Sequence, residues 1–259
     1  WIELMGSQAL VAGYDNPLIV VDAADFDGTN DYMTRGADLT GNADSKKGIL
    51  SIWLRLDGGD GVNQTFVHGA TAVGGSVSHF RLRRTSANIF EIVVTNAADT
   101  VILALNTVST YIAGATWRHI LSSWDLATPG ARSLYVNDVA DLSAVTFTDD
   151  TIDYTLADWA IGGQANGGTR INAACADVFF APGQYLDISI LANRRKFISA
   201  SGKPVHLGAD GSLPTGTAPL VYFHLDDAEA AANFATNRGT GGNFTVTGAL
   251  TTGSTSPSD

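Results

Sequence analysis

One cysteine in 259 residues, Cys175, leaves no partner for an internal disulfide and too few thiolates for a zinc cluster. The five histidines (68, 79, 119, 206 and 224) show neither H-E-x-x-H nor any paired metal spacing, and no Gly-x-Ser-x-Gly elbow occurs. The GTGGN run at 239–243 lacks the Lys-Ser/Thr of a phosphate loop and reads as a turn. Basic residues are few: 15 Lys and Arg face 26 Asp and Glu, a net charge of −11, which argues against nucleic acid as the partner. The two short basic clusters, 81–84 and 194–196, read as solvated faces pairing with the excess Asp. No apolar run approaches the roughly 20 residues of a membrane span, so no membrane insertion is expected. No signal peptide opens the recorded chain, which starts at Trp1 instead of Met. Processing, or an upstream segment carrying an address or anchor, is therefore the expectation.

What the chain does have is apolar material and turns. Hydrophobic residues make up 45% and there are 28 glycines, enough for a sizeable core with many tight reversals. Ten apolar stretches of strand length alternate with turn-rich segments: 18–26, 48–56, 64–69, 78–84, 89–94, 100–105, 117–124, 132–137, 158–163 and 174–180. In GILSIWLRL, Leu50, Ile52, Leu54 and Leu56 share one face, with Ser51, Trp53 and Arg55 on the other. That is the pattern of a half-buried antiparallel strand, and the series fits two packed sheets. Helical patterning is confined to 191–200 and 226–235. Cys175 in AACADVFF reads as a core thiol, His119 as a satisfied structural histidine, and Trp53, Trp117, Trp124 and Trp159 as core. The closing TTGSTSPSD (251–259) reads as a poorly ordered terminus or linker.

Three segments carry a resemblance. FDGTNDYM (26–33) leading to ILSIWLRL, the hairpin WRHILSSWDLATPGARSLYVND (117–138), and the closing AIGGQANGGTRINAACADVFFAPG (160–183) are similar to the laminin-G-like, concanavalin A-like lectin/glucanase jelly rolls. Two departures stand out: Asp138 occupies the usual Gly of the hairpin turn, and the acidic closing motif reads Ala176-Asp177-Val178. The resemblance implies an all-β fold, a two-sheet antiparallel jelly-roll sandwich over 1–192. A short helix and an irregular C-terminal arm (193–259) would pack on or extend it. In the opening turn, Asp27 and Asn30 are expected to bond their own backbone and Gly28 to supply φ > 0, turning Phe26 and Tyr32 into the core from paired strands. Residues 193–248 resemble the extension of lectin-like virion proteins of tailed phages. That implies a virion-surface location, other virion proteins as partners, and a repeated or oligomeric assembly. Pro204, Pro214 and Pro219 also suit a wrapping arm that covers sheet edges, with Val221, Phe223 and Leu225 adding a strand.

Glucanases of this fold carry Glu-x-Asp-x-x-Glu on one strand, and here Glu3, Glu91 and Glu229 lie on three separate segments. Glu91 could face a groove, but alone. For a sugar, the 162–172 loop offers Asn166, Arg170 and Asn172 as ligand-binding residues. Calcium is the one cofactor that the acidic loops suggest, foremost at Asp57, Asp60 and Asn63. Asp25–Asp27–Asn30–Asp31 and Asp149–Asp150–Asp153 are the other clusters, and ordinary Asx turns are the competing reading of all three. Three functions stay open: a noncatalytic glycan or host-surface adhesion module in a tail fibre or surface appendage, a structural capsid decoration or spike protein, and a glycan hydrolase.

Overall fold

The computed structural model describes residues 21–259; Glu3 and the first residues of the 18–26 stretch lie outside the described residues. In chain order the strands are β1 (Val21–Asp22), β2 (Ala24–Asp27), β3 (Tyr32–Thr34), β4 (Lys47–Leu56), β5 (Gln64–Ala70), β6 (Ser78–Arg84), β7 (Phe90–Thr95), β8 (Val101–Asn106), β9 (Trp117–Asp125), β10 (Arg132–Val136), β11 (Val139–Ala140), β12 (Ser143–Phe147), β13 (Asp158–Ile161), β14 (Asn172–Pro182), β15 (Val221–Phe223), β16 (Leu225–Asp226), β17 (Thr245–Thr247) and β18 (Thr251–Thr252). A single helical turn, α1 (Leu191–Arg194), and a 3₁₀ turn over Ala231–Ala235 are the helices among the described residues. Two eight-stranded sheets form an antiparallel jelly-roll sandwich. The first runs β11-β10-β9-β4-β14-β2-β18 with β15 beside β14; the second runs β12-β8-β7-β6-β5-β13-β3-β17.

Alternation builds the core between them. Leu50, Ile52, Leu54 and Leu56 of β4 meet Phe66, Phe80, Leu82, Ile92, Val94, Leu103 and Leu105 of the second sheet. Phe80 anchors the centre, its ring 4.6 Å from Phe180 and 5.7 Å from Trp159. Trp124 donates to the Tyr154 hydroxyl at 3.0 Å, which donates to the Lys47 carbonyl at 3.0 Å, so both polar tips are satisfied in the core. Gly48 is required beneath them, because a Cβ there would overlap the Trp124 ring.

The half-buried reading of β4 fails on its other face: Ser51 and Trp53 are 2% exposed and Arg55 is 7% exposed. The chain after β14 lies across the first sheet. Ile188, Phe197, Val205 and Leu207 pack on Ile49, Leu121, Phe179 and Tyr222, with Phe197 edge-on to Phe179 at 5.3 Å. Val21, Ala23 and Ile198 cover Trp53, which stacks on His119 at 4.7 Å. Each large side chain buried this way contributes about 1.5–3 kcal/mol. Asp138 shows how the arm is held. Asn137 and Asp138 both adopt positive φ, as the two-residue turn requires, and the Asp138 carboxylate receives Arg194 Nε at 2.5 Å and Arg195 Nη2 at 2.8 Å. A glycine at 138 would make the turn easily but leave those arginines without their anion.

The expected strand at Val221, Phe223 and Leu225 forms, split at His224: β15 pairs with β14 and β16 with β1. Other expectations need correction. Phe26 is buried on β2 of the first sheet, while Tyr32 is half-exposed on β3 of the second, with Met33 filling the core; the turn crosses between sheets and does not pair its flanks. Asp27 Oδ1 accepts the N–H groups of Thr29 and Asn30 at 2.7 and 3.0 Å and Gly28 has φ +73°, as expected, but the Asn30 amide lies between the Asp27 and Asp31 carboxylates. Neither helical stretch extends: Phe197 and Ile198 are drawn into the sheet contact, and Ala228 at φ +60° lies two residues past the end of β16. The 251–259 tail is docked, since β18 pairs with β2 and Arg55 Nη1 donates to Ser254 Oγ and Thr255 Oγ1. Trp117 is only partly buried, under the Arg55 guanidinium at 5.8 Å from its ring.

Phe197→Ala should lower stability by about 3–5 kcal/mol, read by denaturant unfolding. A loss below about 1 kcal/mol would mean that the arm does not seal the first sheet.

Candidate functional site

With the first sheet covered, the second sheet's outer face is where polar side chains gather on rigid strands. Phe80 and Leu82 point inward, so Arg81 and Arg83 point outward. Register sets Asn106 opposite Glu91, Glu91 opposite Arg83, and Arg83 opposite Thr65. Thr65 then bonds Thr169 twice, N–H to carbonyl and hydroxyl to hydroxyl, both at 2.8 Å. The row therefore runs from β8 across three strands into the 162–172 loop, where Thr169 holds a left-handed φ of +44°.

One carboxylate serves two cations here. Glu91 Oε2 accepts Arg83 Nε at 2.5 Å and Arg81 Nη2 at 3.5 Å. The side chains are 15% (Glu91), 27% (Arg83) and 29% (Arg81) exposed, so they lie along the sheet rather than waving in solvent. Burial, followed by the Arg83 charge, pushes the Arg81 guanidinium below its ordinary pKa. Asn106 Oδ1 is a buried acceptor without a hydrogen bond.

Of the ligand residues read from the loop, Arg170 lies over the Tyr32 ring at 5.5 Å, and exposed Asn166 turns its Oδ1 back to the Gly168 N–H at 2.9 Å. Both sit on the loop that continues the polar row. Asn172 does not: it opens β14 in the first sheet, packed where a Cβ on Gly28 or Gly58 would strike it, and its carbonyl accepts the N–H groups of Asp57 and Gly58. Sequence reading missed Arg81, Arg83, Thr65, Asn106 and Thr169. It took 81–84 as one solvated cluster, whereas Arg84 points inward and is fully buried, bonded to Asp60, Gln64 Oε1 and the carbonyls of Gly58 and Tyr111.

The calcium residues are already engaged. Asp57 takes Arg55 through both oxygens at 2.8 and 2.9 Å, Asp60 Oδ1 takes Arg84 at 2.8 Å and the Ala113 N–H at 2.9 Å, and Asn63 Oδ1 accepts the Ser86 N–H at 3.0 Å. Two guanidiniums in the donor shell do not fit a cation that needs six to eight free oxygens. The other clusters are likewise engaged: Asp149 by Lys46, Asp150 by Asn96, Asp153 by His79, and Asp27 and Asp31 by backbone N–H groups. Among the described residues, no three His, Cys, Asp or Glu side chains are grouped to hold a metal.

Nucleophile and acid–base candidates are structural. Cys175 is buried and its thiol is pushed up by desolvation. Ser51 Oγ meets His119 Nε2 at 2.8 Å, inside the covered face of the first sheet. Burial takes His119 down to about 3 and His68, behind the 164–165 turn, to about 4, so both are neutral. His224 goes the other way: burial opposes its charge, but the hydrogen bond from Nδ1 to Asp177 at 2.5 Å outweighs it and raises the pKa.

A family model described as the concanavalin A-like lectin/glucanases superfamily matches residues 27–181, more than half of the chain. No curated protein matches it in sequence. Among solved structures, a candidate carbohydrate-binding protein from Bacteroides ovatus superposes with a TM-score of 0.60 at 14% identity, covering 92% of this chain and 60% of that one. The CBM40 of the Ruminococcus gnavus IT-sialidase, bound to α2,3-sialyllactose, gives 0.47 at 13% identity over 66% of this chain and 95% of that one. A heptameric SAP-like pentraxin from Limulus polyphemus gives 0.46 at 12% identity over 64% and 77%. At these identities the likeness concerns fold alone, and this chain spans under two thirds of the Bacteroides one.

The neutral histidines set an acid limit. Their folded pKa values are depressed, so below about pH 6.5 the unfolded chain takes up protons that the folded chain refuses, and stability falls on acidification by about 1.4 kcal/mol per pH unit per histidine. His224, with a raised pKa, contributes stability that is complete below about pH 6.5 and declines only above it, so it does not mask this slope. Between pH 6 and 4.5, His119→Gln should remove about half the slope of unfolding free energy against pH; an unchanged slope would show that His119 is not buried neutral.

Proposed function

The chain belongs to the concanavalin A-like lectin/glucanases superfamily, and we propose that it is a noncatalytic glycan-binding module whose contact surface is the outer face of the second sheet together with the 162–172 loop. One observation carries the reading: the arm covers the first sheet's outer face, whereas the second sheet presents Asn106, Glu91, Arg83 and Arg81 in a half-exposed row on paired strands. Sugar hydroxyls are matched by fixed donors and acceptors, and groups held on strands are placed more accurately than groups on loops. Asn166 and Arg170, with Tyr32 beneath the guanidinium, extend the row at one end and are suited to a second sugar ring.

Hydrolysis is not part of the proposal. A glycosidase needs two carboxyl groups about 5–10 Å apart across the bond, one as acid and one as base or nucleophile. Glu91 is the one carboxylate of the row and is held by two arginines, with no second carboxyl group in the row to partner it. Glu229 is bound to Arg238 in the arm.

We infer the same module to be displayed on a phage particle, in a tail fibre or other surface appendage, with other virion proteins as neighbours. This part rests on the sequence resemblance of 193–248, and repetition on a particle would turn weak single sites into avidity.

A glycan array probed with the multivalently coupled protein tests the reading. Binding should fall at least tenfold in Arg83→Ala and in the Asn166→Ala/Arg170→Ala double variant, with melting temperature within a few degrees of the parent. No reducing ends should appear from laminarin or mixed-linkage glucan between about pH 4 and 9. Undiminished binding by both folded variants would move the site elsewhere, and turnover that vanishes in Glu91→Gln would make the protein an enzyme.

A further inference from the structure

The row on the second sheet is electrostatically unbalanced, and the imbalance points to a kind of sugar. Resting on the glycan-binding reading above, we infer that the Arg81–Arg83 pair is an anion subsite that takes the carboxylate or sulfate of an acidic glycan. Two guanidiniums lie side by side on adjacent outward positions of β6 and share a single oxygen, Glu91 Oε2. Of the roughly ten N–H groups that they carry, the contacts to Glu91 use Arg83 Nε, Arg81 Nη2 and, at 3.5 Å and outside hydrogen-bond geometry, Arg81 Nε. The local balance is one positive charge in excess, in a molecule whose net charge is −11.

The other arginine–carboxylate contacts described above are built differently. Arg55 is bidentate to Asp57 with Asp25 at 3.5 Å, Arg84 has Asp60, and Arg194 and Arg195 share Asp138 but with both of its oxygens. Arg81 and Arg83 differ because their one anion uses one oxygen, and because both side chains are about a quarter exposed, enough for a ligand to reach them. An incoming carboxylate or sulfate meets planar N–H forks suited to two-point binding. Asn106 Oδ1, a buried acceptor with no hydrogen bond, lies across Glu91 from Arg83. Glu91 then has a defined role: it is an internal counterion that holds the two guanidiniums in place and competes with the ligand's anion.

That competition distinguishes this subsite from a merely structural ion pair. Calorimetric titration uses the full chain against matched probes: oligogalacturonate beside its methyl ester, and sulfated beside unsulfated lactosamine. The acidic member of at least one pair should bind at least tenfold tighter than its neutral twin, and weaken as salt rises from 50 to 500 mM; which pair responds tells carboxylate from sulfate. Arg83→Gln should abolish the acidic advantage, and Glu91→Gln should raise affinity for the acidic probe severalfold, an outcome that a structural role would not give. If acidic and neutral twins bind alike and Arg83→Gln weakens both, the anion subsite is wrong while the glycan face stands. If no array or titration probe binds, both readings fall. Persistence of the acidic preference in a folded Arg81→Gln/Arg83→Gln variant would also overturn the inference. Should that variant not fold, the salt series and Glu91→Gln decide.

Discussion

Everything distinctive in this molecule depends on the burial of Phe197 and its neighbours against the outer face of the first sheet. A two-sheet sandwich ordinarily leaves two outer faces to water. Here Phe179, Tyr222, Leu121 and Ile49 make one of them apolar, and the chain after β14 turns back to cover it. That layer explains why β14 can run as NAACADVFFAP, a largely apolar sequence without alternation, and why Cys175, Ala176 and Phe179 are all buried although they do not share a face. It also makes the two outer faces chemically unlike each other.

With only 16% charged residues, the chain spends its ion pairs on joining segments. Asp138 ties the β10–β11 turn to α1, Arg55 ties β4 to the last residues of the chain, and Arg84 ties β6 to the 57–64 loop. Breaking any one leaves a buried or half-buried charge without its partner, which costs more than the pair itself contributes. The Arg81–Glu91–Arg83 group instead joins two strands that are already paired through their backbones, as Lys47–Asp125 does between β4 and β9.

Period-two alternation made the sandwich legible. Leu50, Ile52, Leu54 and Leu56 lie where their spacing puts them, as do most of the strand-length stretches. Alternation assigns a residue to a face but does not say what covers that face, so the face of Ser51 and Arg55 reads as the open side of a half-buried strand, with only Trp53 read as core. The cover comes from both ends of the described chain, Val21 and Ala23 on one side and Ile198, Ser254 and Thr255 on the other. The same limit hid the candidate site. RLRR looks like one basic cluster in sequence, although successive residues of a strand face opposite ways: Arg84 goes in, Arg81 and Arg83 go out. Asn166 and Arg170 lie on the loop beside the polar row, whereas Asn172, two positions further on, is the first residue of a strand and belongs to the other sheet. The acidic loops suggested calcium because sequence shows the carboxylates and not the guanidiniums that fold onto them.

Hydrogen–deuterium exchange of the full chain tests the central claim, that the arm is a sealed layer and not an appendage. Amides of Phe197 and Ile198, bonded to the Arg194 carbonyl, and those of β15 should exchange only through global opening, within about 1 kcal/mol of the core strands β4 and β9. Exchange of the 197–225 amides at the rate of a frayed terminus, while β4 and β9 stay protected, would show the first sheet's outer face to be open and contradict the account.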